Sequence, residues 1–285
     1  MKRLNENQKK EIIQENLEPQ RKLYDTVLDF IESNSEEEEI IYADLIKIIT
    51  EYEILNKLEE LKHFLCLLLN ISNNHHREAN FFKKIERILE NTFNHLQQNN
   101  KQTLSNFEIF EIFKSNKLII LFLLKKQIIK LDENVIEEML NYQKELIPKY
   151  CHFFINEINE FIKNNEYFSY LKEKIIEIEL EIKELDINFP NQYEEKRLIG
   201  ENDSYICSLI RNDLVEDFIA YVTRENIKLS SLIKPSIYET NIFLLRKEKT
   251  SLIEYAIFYG SIKILKYLYF NKVEINENLW EYGIH

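Results

Sequence analysis

Residues 251–285 read SLIEYAIFYGSIKILKYLYFNKVEINENLWEYGIH. A helical period runs from Ser251 to Gly260 and resumes from Ile262 to Leu268. The stretch reads as one helix-turn-helix unit, a connecting loop, and the start of a second unit that stops short. A unit of this size cannot bury its apolar face alone, so it implies stacked neighbours. That predicts a binding surface rather than a chemical site.

Composition points the same way along the rest of the chain. Only 3 Gly and 4 Pro occur in 285 residues, where average usage would give about 20 and about 14. Glycine supplies the positive φ of tight hairpins, so a meander of short strands is excluded and the expected fold is all-α. An apolar fraction of 45% suffices for real cores. Net charge is −12, which repels phosphate backbones, so no nucleic-acid partner is expected. Cys66, Cys151 and Cys207 are odd in number and far apart, which suits a reducing compartment. The start, MKRLNENQKKEIIQEN, has no apolar core of a signal peptide. The longest apolar runs, Leu118–Leu124 and Phe64–Leu69, fall far short of the roughly 20 residues that span a bilayer. An intracellular, cytoplasmic protein with no membrane contact is therefore expected.

Residues 1–190 read as a helical array. A first helix is expected from Asn7 to Ser33, with Pro19 interrupting or beginning its continuous part. Ser33–Ser35 is turn-like, and Glu36–Glu39 after a serine cap suits the positive end of a helix dipole. Ile40–Tyr52 and Leu55–Leu69 give one or two helices, broken at Asn70–Asn74. Further helices are expected at 81–96, 107–113, 118–131, 134–146 and 150–162. Phe168, Leu171, Ile175, Ile178, Ile182 and Leu185 are spaced 3, 4, 3, 4, 3, a heptad seam. Packing inside its own bundle is the first reading of this seam; self-association through residues 168–185 is the alternative. The stretch 185–200, with Pro190 and Gly200, is the expected domain boundary.

Residues 200–285 carry a resemblance. Ser251, Ile253 and Glu254 stand at the Thr, Leu and His positions of the TPLHxA opening of an ankyrin repeat, with Leu252 at its Pro. Ala256 takes the small position and Gly260 the turn glycine. Ile262, Ile264, Leu265 and Leu268 match the second helix, and Val273, Ile275 and Asn276 the closing loop. The segment thus resembles a divergent ankyrin repeat, with a full unit at 251–276. A degenerate unit precedes it at 204–250, in YICSLIRNDLVEDFIAYV, where Asp213 aligns with Gly260, Val215 with Ile262 and Phe218 with Leu265. The two turns lie 47 residues apart, against a usual period of about 33; the excess holds LIKPSIYETNIFLL. Leu279, Trp280, Tyr282 and Gly283 begin a partial unit, 277–285, and an array frayed at this end or cut short is expected. Lys272 replaces the usual loop glycine, so strain is expected there. The chain is similar to large protozoan ankyrin-like families in which a helical region precedes divergent repeats. That resemblance implies protein–protein interaction by an adaptor or scaffold, with loop-tip residues Asn271, Lys272 and Glu274 touching an unidentified protein partner. It implies no catalytic residue and no cofactor.

The residues offer little chemistry besides. His75–His76 point about 100° apart on a helix and do not chelate together. His63 and Cys66 lie at i, i+3, but Cys66 within FLCLLL reads as a buried thiol. Cys151–His152 are adjacent within an aromatic helix, on different faces. No phosphate-binding glycine loop, GxSxG or HExxH is present. No catalytic, metal or cofactor residue is assigned, and an enzyme of unrecognised all-α type is the remote alternative.

Overall fold

The computed structural model describes residues 6–74, 80–98, 104–143, 148–245, 250–274 and 283. The described residues are helical, with one isolated antiparallel bridge, Leu232 to Ser251. The chain divides into two compact units, 1–105 and 106–285.

The first unit holds α1 (Glu6–Glu32), α2 (Glu38–Glu51), a 3-10 turn (Ile54–Asn56), α3 (Leu58–Asn74) and α4 (Phe81–Gln98). α1 packs on α2 and α4, and α3 on α4. Leu61, Phe64, Leu65 and Leu68 of α3 meet Ile85, Ile88, Leu89 and Phe93 of α4 as buried stripes at helical spacing. Three expectations change here. α1 runs unbroken through Pro19, which removes only one backbone donor at a half-exposed position. α3 continues to Asn74: Ile71 and Ser72 are buried in its last turns, and the Asn74 side-chain amide donates to the Asn70 carbonyl at 2.7 Å. Asn34, not serine, caps the acidic run: its Oδ1 accepts from the N–H groups of Glu36 and Glu37. Glu38 and Glu39 then bind Arg87 of α4, whose guanidinium lies 3.8 Å from the Tyr42 ring centre.

The second unit begins with α5 (Asn106–Phe113), α6 (Lys117–Lys125), α7 (Glu133–Asn141), α8 (Tyr150–Phe153), α9 (Ile155–Asn164) and α10 (Lys172–Leu185). Asn116 and Asp132 cap α6 and α7 by accepting from Ile119 and Val135 N–H groups. α6 stops at Lys125, short of the expected Leu131, because Gln127 adopts a left-handed φ of 56°. The expected 150–162 helix is two helices that break at Phe154 (φ −112°, ψ 18°). The heptad helix starts at Lys172, after a 3-10 segment Glu166–Leu171 whose Phe168 is non-helical. Ile175, Ile178 and Ile182 are buried, and α10 packs on α8 and α9. The seam is used within the chain.

Residues 191–200 form α11 (Tyr193–Ile199), closed by Gly200 at φ 74°. The helix is fastened inward by a buried arginine. Arg197, 1% exposed, donates to the Phe153 carbonyl and to the carboxylates of Glu157 and Glu194. Tyr193 Oη donates to the His152 carbonyl at 2.6 Å. A methyl on Gly200 would meet Leu118 Cδ1 at 2.6 Å, so that side chain would have to shift, and it is the positive φ that favours glycine here.

Candidate interaction surface

The rest of the second unit is two stacked helix pairs. α12 (Tyr205–Arg211) turns at Asn212–Leu214 into α13 (Val215–Arg224). After a short α14 (Ile242–Leu245), α15 (Leu252–Phe258) turns at Tyr259–Ser261 into α16 (Ile262–Phe270). First helix packs on first helix, α12 on α15, and second on second, α13 on α16. One apolar core joins them, including Cys207, Ile210, Phe218 and Val222 from one pair and Ile253, Ala256, Phe258, Ile264 and Leu268 from the other.

Local chemistry explains each helix end. Ser251 caps α15: Glu254 N–H donates to Ser251 Oγ, and Ser251 N–H donates to the Glu254 carboxylate at 2.8 Å. Ala256 is fully buried. The two turns match in backbone, with φ 49° at Asp213 and 67° at Gly260. Asp213 holds a position that favours glycine because its side chain does a second task. Its two carboxylate oxygens accept from the Lys263 and Ile264 N–H groups, each at 3.0 Å. The turn of one pair therefore caps the second helix of the next.

The far ends of α13 and α16 also match. Asn226 (φ 52°) and Lys272 (φ 58°) are left-handed. Ile227 N–H reaches the Val222 carbonyl and Val273 N–H the Leu268 carbonyl, while Asn226 and Lys272 donate to Thr223 and Tyr269. Both ends are Schellman caps, with Ile227 and Val273 as the half-buried apolar residue after the cap. Asn271, Lys272 and Glu274 are exposed, and Asn271 returns its amide to the Tyr267 carbonyl at 2.8 Å. The structural equivalents of these three are Glu225, Asn226 and Lys228, also exposed. Sequence reading missed that second tip. Its signal was an Asn followed by an apolar residue at the end of a helical period.

The stretch between the pairs folds as a plug. Ile233 N–H donates to the Thr250 carbonyl at 2.7 Å. Tyr238 Oη donates to Asp186 at 2.6 Å, and Thr240 donates to the Gly200 carbonyl through both N–H and Oγ. Glu239 is 5% exposed. Its carboxylate accepts from the N–H groups of Thr240, Asn241 and Asn202, yet burial pushes its pKa up to about 7. The buried Lys117 amine donates to the Glu239 carbonyl at 3.2 Å, and burial brings it down to about 8.

The other sequence candidates are not brought together. His75 and His76 lie outside the described residues, as do residues 275–282 of the closing loop and partial unit. Cys66 is exposed, not buried: Leu61, Phe64, Leu65 and Leu68 take the inner face of α3 and leave Cys66 on the outer one. His63 is also exposed. It lines a cleft of about 600 Å³ in the first unit with Leu23, Ile54, Phe64, Lys57 and Glu60. Cys151 is buried and pushed up to about 11. His152 meets Glu181 at 2.8 Å, and burial lowers its pKa. Among the described residues no cluster of three His, Cys, Asp or Glu side chains could hold a metal. None of the described helices is long and apolar enough to cross a membrane. The chain matches no family model, no curated protein and no solved structure.

Proposed function

We propose that this chain is a non-enzymatic protein–protein interaction module, an adaptor or scaffold whose stacked pairs form a short ankyrin-like array. The observation that carries the reading is the like-on-like stacking of α12 on α15 and α13 on α16. Each second helix ends in the same cap, so equivalent tips project at Glu225–Lys228 and Asn271–Glu274, with Ile227 and Val273 turned to the core and the other residues exposed. The Ser251 cap, buried Ala256 and left-handed Gly260 support the ankyrin-like register. On this reading the partner is a protein met in the cytoplasm.

The test is affinity capture with the full chain and with a variant carrying Glu225→Ala, Lys228→Ala, Lys272→Ala and Glu274→Ala. All four positions are exposed, so thermal unfolding should stay within about 0.5 kcal/mol of the parent per site. A reproducible partner should be lost from the variant. An unchanged set of partners rejects these tips as the docking site.

A further inference from the structure

We infer that the outward stripe of α16 is the docking face for an acidic protein segment carrying large apolar side chains. This rests on the interaction reading above and names the class of its partner.

Five consecutive positions around α16 share one face. At 100° per residue, Tyr269, Ile262, Lys266, Phe270 and Lys263 fall within an arc of about 120°. All five are exposed. Ile262, Tyr269 and Phe270 keep 52%, 59% and 76% of their surface open. The opposite face, Ile264 and Leu268, is buried and holds the helix to α15 and α13. The stripe is therefore not needed to seat the helix. α16 contains two lysines and no carboxylate, in a chain whose net charge is −12.

The stacked neighbour supplies an internal control. α13 occupies the equivalent place in the preceding pair, with buried Phe218 and Val222 where α16 has Ile264 and Leu268. Where α16 has Ile262, Lys263 and Lys266, α13 has Glu216, Asp217 and Ala220; where α16 ends in exposed Tyr269 and Phe270, α13 ends in exposed Thr223 and Arg224. The architecture thus accepts polar and acidic residues at these positions. Exposed aromatics beside lysines are a property of α16, not of the helix pair. Aromatic anchors flanked by complementary charge are what a docking face requires. Lysine stems lie along apolar surface and present ammonium heads at its rim, which fits carboxylates on both sides of an apolar anchor.

A peptide fits better than an anionic membrane. A membrane is a plane met by the whole chain, whose negative charge opposes approach. A peptide meets only the local stripe.

The test uses the full chain against a random peptide library displayed on phage. Selected peptides should be enriched in Asp and Glu around at least one large apolar residue. Their affinity should fall about tenfold or more in Lys263→Glu/Lys266→Glu and in Tyr269→Ala/Phe270→Ala. Lys263→Arg/Lys266→Arg should bind normally. Selection of peptides without acidic bias, or no selection at all, overturns the inference. So does binding that survives the two variants, or that moves to phosphatidylserine vesicles in place of peptide. The tip variant separates this from the broader reading: peptides lost only with the tips leave the module an interaction module and remove α16 as its face.

Discussion

Two left-handed residues, one in the turn within a helix pair and one in the cap that ends a pair, answer to different forces. Asp213 and Lys272 both sit at φ near 50–60°, a conformation that costs a non-glycine residue about 1–2 kcal/mol. Lys272 is exposed and offers no return for that cost beyond its charge. Lys272→Gly should therefore raise stability by about 1 kcal/mol. Asp213 accepts from two N–H groups of α16, a cap whose loss costs about 0.5–2 kcal/mol. Asp213→Gly gains backbone freedom but strips those bonds, and its net effect should be near zero or destabilising. Urea midpoints for the two variants check this. Equal stabilisation by both would sink the cap. The alignment of Asp213 with Gly260 was legible in sequence, and so was strain at Lys272. The capping role was not, because it depends on α16 lying across the turn, 50 residues away in the chain.

Among whole helices, the least legible contacts are also the ones that join sequence-distant ends. Lys84 is 6% exposed on α4. Its amine donates to the carbonyls of Phe30, Ile31 and Ser33 at 2.6–3.0 Å. Phe30 and Ile31 lie in the last turn of α1 and Ser33 just beyond it, and the Phe30 carbonyl also takes the Ser33 hydroxyl; the helix dipole favours a cation at this end. Lys84→Met keeps the stem's packing and removes the charge-assisted bonds. It should cost about 1.5–3 kcal/mol, read as a lower denaturant midpoint at unchanged slope. A loss below about 0.5 kcal/mol would show that water replaces the amine freely. Periodicity alone placed most helices of this unit, since 61, 64, 65, 68 and 85, 88, 89, 93 repeat at helical spacing whatever the partner. It could not mark Lys84 as inward. Nor could it see the break at Phe154, where no proline or glycine stands, or the exposure of Cys66, where an apolar run hides which side faces the core.

At the scale of the second unit, the plug between the helix pairs sets how folding responds to pH. Sequence reading located LIKPSIYETNIFLL as an excess over the repeat period, but not that it would bury a glutamate beside a lysine from α6. Glu239 has a pKa of about 7 in the fold against 4.5 for the free group. The folded state therefore holds a proton that the unfolded state has released between those values. This contribution to stability is complete below 4.5 and is lost as pH rises through about 7. Lys117 has the opposite sign: its contribution is present above 10.5 and lost as pH falls through about 8. Near neutral pH the buried Lys117 is mostly charged and Glu239 about half ionised, and their attraction offsets only part of the desolvation. Glu239→Gln isolates the acidic limb. The variant pays a constant cost, because one amide face meets the Asn202 N–H where a carboxylate oxygen accepted. Relative to the parent it should gain stability as pH rises from about 5 to about 7.5, by on the order of 3 kcal/mol at most. Urea titrations of both proteins at the two pH values measure the difference. Parallel curves for parent and variant would mean that Glu239 stays charged throughout, held down by its three N–H donors.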